Sequence, residues 1–163
     1  MKQTLAEALG TLVGQALSSV EFVEDYVQLW FDGPCLTAYT PLVITTDLEG
    51  ISLGQSGYRD ILCAQIGCRV ERTEVNKQRV SIIFESGAVA SISLRDDDYR
   101  GPEALEFWLE ERSYLGRLST DAARMFQGIR GAWSRRSPSP PNRDAHHVKV
   151  MIVGPHFQIE AHC

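Results

Sequence analysis

All four histidines, His146, His147, His156 and His162, follow a Pro/Ser/Arg-rich stretch, so residues 1–145 contain no imidazole. A Ser-His-Asp or Cys-His arrangement, or a histidine-based zinc site, therefore cannot be built there unless the end of the chain folds back. General acid or base work would fall to carboxylates, Lys, Tyr or Cys, and only Lys2, Lys77 and Lys149 supply ammonium groups. The late histidines and Cys163 are donors that zinc or copper accepts. His146 and His147 are adjacent, however, and on an extended chain neighbouring side chains alternate in direction. Incidental use is the simpler reading. Cys63 and Cys68 would project about 140° apart on a continuing helix, which suits small buried thiols better than a redox pair.

Three glycines, Gly50, Gly54 and Gly57, precede a helical pattern, a setting in which backbone amides can face an anion. Their spacing matches neither common phosphate-binding fingerprint, and no Gly-Lys-Ser/Thr follows, so loop flexibility accounts for them. Asp96, Asp97 and Asp98, flanked by Arg95 and Arg100, offer oxygen donors for a hard cation. Three consecutive acids cannot all converge without an unusual turn, and a solvated loop with local ion pairs is the plainer expectation. No catalytic residue, metal ligand or cofactor is assigned.

Two groups remain as candidate binding residues. Phe22, Tyr26, Trp30, Phe31 and Tyr39 are aromatic anchors rimmed by Glu21, Glu24, Asp25 and Asp32. As a recognition face, Tyr26 and Trp30 with Glu24 and Asp25 would suit a basic protein partner, by steering at the rim and burial at the centre. Core packing is the competing explanation, since both phases of alternation are apolar over Tyr26–Phe31, as in a strand covered on both faces. The second group is Tyr58, Arg59, Asp60, Arg95, Asp98, Tyr99 and Arg100. These would line a pocket where helix and sheet loops meet, serving a small-molecule binder or an enzyme working with Asp and Tyr.

These residues must be held by elements whose signals are local. Thr4 and Glu7 have the spacing of a capping box, and Leu5, Leu9, Leu12, Val13, Ala16 and Leu17 continue as a helical stripe. Gly10 and Gly14 within it read as a close packing contact. Residues 20–45 are rich in Val, Phe, Tyr, Trp and Thr and read as three short antiparallel strands, with a turn or bulge at Glu24-Asp25 and a hairpin turn at Asp32-Gly33-Pro34. A short helix follows, capped by Ser56 and ended by Gly67, with Tyr58, Ile61, Leu62 and Ile66 on one face. Residues 68–75, 79–84 and 88–94 read as strands. Pro102, Glu103 and Glu106 suit the first turns of a helix over about 102–112, and Ser119-Thr120-Asp121 another, with Ala122, Met125, Phe126 and Ile129 buried.

The 163 residues, with a formal charge of −5, suit one ordinary domain able to hold a core without disulfides or metal. The expected class is α+β: an N-terminal helix, an antiparallel sheet of about six strands with an inserted short helix, and C-terminal helices on one face. Residues 1–131 form the compact domain. Residues 132–147 are a linker too polar and Pro-rich to offset chain entropy, and 148–163 a tail or extra edge strand. Residues 1–50 carry one Lys against seven acids, which disfavours nucleic-acid binding by the body. No secretory leader is read in MKQTLAEALG, and the uncharged stretch from Gly33 to Thr46 is too short to span a bilayer. A cytoplasmic protein with no membrane association is expected.

The strings VEFVEDYVQLWFDGPCLTAYT, GYRDILCAQIG and ISLRDDDYRGPEA resemble a family of small uncharacterised bacterial proteins over about residues 5–112. The resemblance implies a compact mixed α and β domain of bacterial origin and brings no activity or catalytic residues with it. The chain after Gly131 departs from that pattern. The expected function is that of a non-enzymatic protein-binding module, of immunity or accessory type, presenting an acidic sheet face.

Overall fold

The computed structural model describes residues 4–47, 49–110, 147–153 and 156–162. Thr4 caps helix α1 (Leu5–Gly10) through a complete capping box. The Glu7 amide donates to Thr4 Oγ1 at 3.2 Å, and the Thr4 amide donates to the Glu7 carboxylate at 2.8 Å. The bonds to Thr4 hold the Glu7 carboxyl below its ordinary value. The helix is shorter than its apolar stripe suggests, because the chain is captured by a distant strand. The Gly14 amide donates to the Val70 carbonyl at 2.8 Å and the Leu17 amide to that of Cys68 at 3.0 Å. Gly14 accordingly takes φ +82°, which favours glycine. A Cβ at Gly10 or Gly14 would meet no heavy atom within 4 Å, so the expected close packing contact does not form.

Eleven strands in two antiparallel sheets follow among the described residues. Numbered in chain order, they are β1 (Leu17–Phe22), β2 (Val27–Phe31), β3 (Cys35–Ala38), β4 (Leu42–Thr45), β5 (Gly50–Ser52), β6 (Val70–Val75), β7 (Arg79–Phe84), β8 (Val89–Ser93), β9 (Glu103–Glu110), β10 (His147–Val153) and β11 (His156–His162). The first sheet has the order β1-β2-β3-β9-β10-β11 and the second β5-β4-β8-β7-β6. The turns at Glu24-Asp25 and Asp32-Gly33-Pro34 close as read from sequence: the Val23 amide reaches the Tyr26 carbonyl at 2.9 Å, and the Phe31 amide that of Pro34 at 2.8 Å.

Both sheets contribute to one core. Val27, Leu29, Leu36, Leu105 and Phe107 from the first are buried in the same cluster as Leu42, Ile44, Val80, Ile82, Phe84 and Ile92 from the second. The chain passes between sheets at a corner, residues 39–41, beside the return from β8 to β9. There the Thr40 hydroxyl donates to the Ser93 carbonyl, and the Tyr39 amide donates to the Ala104 carbonyl at 2.9 Å. The expected single block of three strands over 20–45 is thereby divided: β1, β2 and β3 stay in the first sheet, while β4 joins the second. β2 alternates buried and half-buried positions rather than being covered on both faces, whereas all four positions of β3 are buried.

The α+β expectation with C-terminal helices is corrected. The structure is mostly antiparallel sheet, with two short α-helices among the described residues. The segment expected as a helix over 102–112 is strand β9, paired with β3 in the register Leu36↔Phe107 and Ala38↔Leu105. Pro102 and the early glutamates imitate a helix start, but Leu105, Phe107 and Leu109 alternate with Glu106 and Trp108. That period of two lets β9 fill a slot whose neighbours are already hydrogen-bonding strands. The expected helix over 119–129 and most of the 132–147 linker lie outside the described residues.

β10 extends the first sheet beyond β9, and its register sets His147 opposite both Glu110 and His162. The absence of imidazole from residues 1–145 therefore does not extend to the sheet, which carries three of the four histidines.

Several ionisable groups are held neutral by burial. Burial pushes the Cys35 thiol from 9.0 up to about 12; Thr37 hydrogen bonding opposes this, and the Glu106 and Glu21 charges add to it. Burial likewise lifts the Tyr58 phenol from 10.0 to about 12. Tyr39 is raised by burial and by its hydrogen bond to Glu106. The unfolded chain releases these protons first as pH rises, so stability is fully present below about pH 9 and declines from there towards pH 12. Urea midpoints measured from pH 7 to 11.5 should fall above pH 9, and Cys35→Ala should flatten the first part of the fall. A midpoint constant to pH 11 would refute this assignment.

Candidate functional site

Helix α2 (Tyr58–Cys63) packs against β1 of the first sheet and β4 of the second. Its N-cap is Gly57, at φ +82° and with no side-chain cap bond, rather than the expected Ser56. The helix is anchored by Tyr58, 1% exposed, whose hydroxyl donates to the Leu42 carbonyl at 3.1 Å, and by the fully buried Leu62. Ile61 is half-buried and Ile66 is exposed, so only part of the expected apolar face is used. Gly67 takes φ +90° and donates to the Leu17 carbonyl at 2.7 Å, tying the segment after α2 to β1.

An open cleft of about 570 Å³ lies where α2 begins, bounded by Phe22, Val23 and Glu24 at the end of β1, by Leu53, Gly54, Gln55 and Gly57 from the loop after β5, and by Tyr58, Arg59 and Asp60. Phe22 meets Tyr58 edge-on, ring centroids 6.2 Å apart, an arrangement that suits aromatic quadrupoles. The Arg59 guanidinium carbon stands 5.3 Å from the Phe22 ring centroid, within cation–π range. Leu53, also in the lining, is 46% exposed. The lining thus combines an aromatic ring with side chains of both signs of charge.

Of the residues singled out from sequence, the cleft brings together Glu24, Tyr58, Arg59 and Asp60. Asp25 is exposed in the same turn as Glu24. Asp32 lies beyond the far end of β2, about 20 Å along the strand at about 3.3 Å per residue, so the acids do not form one continuous rim. Tyr26 packs on Tyr39 at 5.5 Å between ring centroids, and Trp30 is half-buried on β2; neither lines the cleft.

Arg95, Asp98, Tyr99 and Arg100 sit on the connection from β8 to β9, which includes a 3-10 turn at Asp96–Asp98, and none of them lines the cleft. Asp98 accepts a hydrogen bond from Ser93, Arg95 reaches the exposed Asp97 at 4.0 Å, and Tyr99 packs against the core. Of the second expected group, this cleft therefore holds Tyr58, Arg59 and Asp60 without Arg95, Asp98, Tyr99 and Arg100. Val23, Leu53 and Gln55 were not singled out from sequence. Their only local signal is proximity to the glycine-punctuated loop and to the Glu24-Asp25 turn.

A second polar group is buried on the first sheet, away from the cleft. Gln28, Thr37 and Glu106 stand in one rung across β2, β3 and β9. Gln28 Nε2 donates to Thr37 Oγ1 at 3.1 Å, and the Tyr39 hydroxyl donates to the Glu106 carboxylate at 2.8 Å. With Thr37 and Glu106 both buried, this is a structural network that fixes strand register. Among the described residues no group of three His, Cys, Asp or Glu side chains is arranged to hold a metal ion, and no helix is long and apolar enough to cross a membrane. Comparison with protein-family models, curated proteins and solved structures finds no match for this chain.

Proposed function

We propose that the protein is a non-enzymatic cytoplasmic binding module that takes a basic segment of a partner protein at the cleft between the β1–β2 turn and α2. The observation that carries this reading is the half-buried Phe22 ring, backed by the buried Tyr58, beside two exposed carboxylates, Glu24 and Asp60. Such a site needs shape and charge rather than a nucleophile: aromatic area supplies affinity, and rim acids steer a cationic partner. Asp25, exposed beside Glu24, and the excess of acids over residues 1–50 add to the same field.

The immobilised protein and a Glu24→Lys, Asp60→Lys variant can be compared as baits in a bacterial lysate, with retained proteins identified by mass spectrometry. Wild type should retain a basic protein that elutes at about 1 M salt, where the screening length falls to about 3 Å; the variant should not retain it. Equal retention by both baits, or nothing retained by wild type, would contradict the proposal. A second reading, a small-molecule binder, draws on the volume of the cleft, which falls in the range of about 300–1,000 Å³ usual for ligand sites. It predicts a low-molecular-mass compound released from the purified protein on denaturation.

A further inference from the structure

Resting on that binding role, we infer that the cleft is a seat for a partner's arginine side chain and that Arg59 is its internal occupant, covering the ring of Phe22 until the partner displaces it. Arg59 lies exposed on the first turn of α2. Among the described residues its guanidinium makes no ion pair and instead stands over Phe22 at 5.3 Å. A planar, weakly hydrated cation is what the negative face of an aromatic ring accepts, and arginine fits such a face better than lysine. The protein's own side chain thus shows which chemistry the ring takes.

The surroundings favour a cation from outside. Glu24 and Asp60 line the same cleft, so a guanidinium placed there has carboxylates within the site as well as a ring beneath it. Nothing buries Arg59, and a long exposed side chain can leave the ring at the cost of one cation–π contact. The partner need supply only an extended stretch bearing arginine, because the cleft is open and the adjoining Leu53 offers apolar area to the stem of a long side chain. An acidic ligand recognised by Arg59 would instead meet Glu24 and Asp60 with like charge.

The test uses the full chain and two fluorescein-labelled probes, an Arg-Gly-Arg-Gly-Arg peptide and its Glu-Gly-Glu-Gly-Glu counterpart, read by fluorescence anisotropy at low salt. Wild type should bind the arginine probe, and Arg59→Gln, which vacates the ring without disturbing a buried group, should bind it about two- to fivefold more tightly. Asp60→Asn should weaken it in both backgrounds. Unchanged or weaker binding of the arginine probe by Arg59→Gln, with wild type still binding, would overturn the role of Arg59 and leave the acidic docking role standing. Preference of wild type for the glutamate probe, lost in Arg59→Gln, would overturn both, as would failure of either protein to bind the arginine probe.

Discussion

Replacing Phe107 by alanine is expected to lower the stability of the folded chain by about 3–5 kcal/mol. The side chain is fully buried and stands on β9 opposite Leu36 of β3, which faces Leu29 of β2 in turn, so its removal leaves a hole in the middle of the core that the first sheet presents to the second. Strands paired on each side limit how far the backbone can collapse into that space. Equilibrium urea unfolding of wild type and Phe107→Ala, followed by tryptophan fluorescence, measures the difference. A companion change, Trp108→Ala, lies on the opposite phase of the strand. If β9 were a helix, residues 105 and 107 would not share a face, and Phe107→Ala would cost no more than its neighbour. A loss below about 1 kcal/mol for Phe107→Ala would refute the strand placement.

Tyr58 is the second position at which a large loss is expected. Tyr58→Ala removes an almost completely buried ring from between Phe22 and the core and should cost about 3–5 kcal/mol. Tyr58→Phe keeps the ring and removes only the hydroxyl that serves the Leu42 carbonyl; it should cost about 1–3 kcal/mol, the desolvation penalty of a buried group left unmatched. Because α2 is anchored largely through this residue, Tyr58→Ala should also release the start of the helix and dismantle the cleft. Amide hydrogen exchange over residues 57–63 would then accelerate, whereas in Tyr58→Phe it should stay close to wild type. Equal costs for the two variants would mean that the hydrogen bond, not the ring, holds the helix.

These two positions also mark what was and was not legible in the chain. The capping box at Thr4 and Glu7, the turns at Glu24-Asp25 and Asp32-Gly33-Pro34, and strands β6, β7 and β8 follow from residues close in sequence. Each is decided by a hydrogen bond or a periodicity spanning a few positions, and each formed where expected. β9 could not be read in that way. Ala104, Leu105 and Glu106 are good helix formers by intrinsic propensity, and Pro102 is the usual opening of a helix. The outcome turns on a slot beside β3, a strand more than sixty residues earlier, where backbone pairing outweighs a propensity of a few tenths of a kcal/mol per residue.

The cleft divides along the same line. Tyr58, Arg59 and Asp60 are contiguous, and their chemistry is visible at once, as is that of Glu24. That Arg59 rests on Phe22, that Leu53 joins the same lining, and that Arg95, Asp98, Tyr99 and Arg100 lie outside it were settled by the packing of α2 against β1 and β4 and by the placement of the β8–β9 connection.

By itself, the amino-acid sequence determined the inventory of this protein: an acidic first third, no imidazole before residue 146, local turns and caps, and alternating strands able to bury one face. Only the tertiary structure decided the partition of those strands into two sheets, the conversion of an apparent helix into β9, and the entry of β10 with its histidine into the first sheet. The physical reason is range. Caps and turns are closed by neighbours a few residues apart, whereas sheet pairing and cleft walls join residues whose encounter depends on loop closure and on burial shared across the whole core.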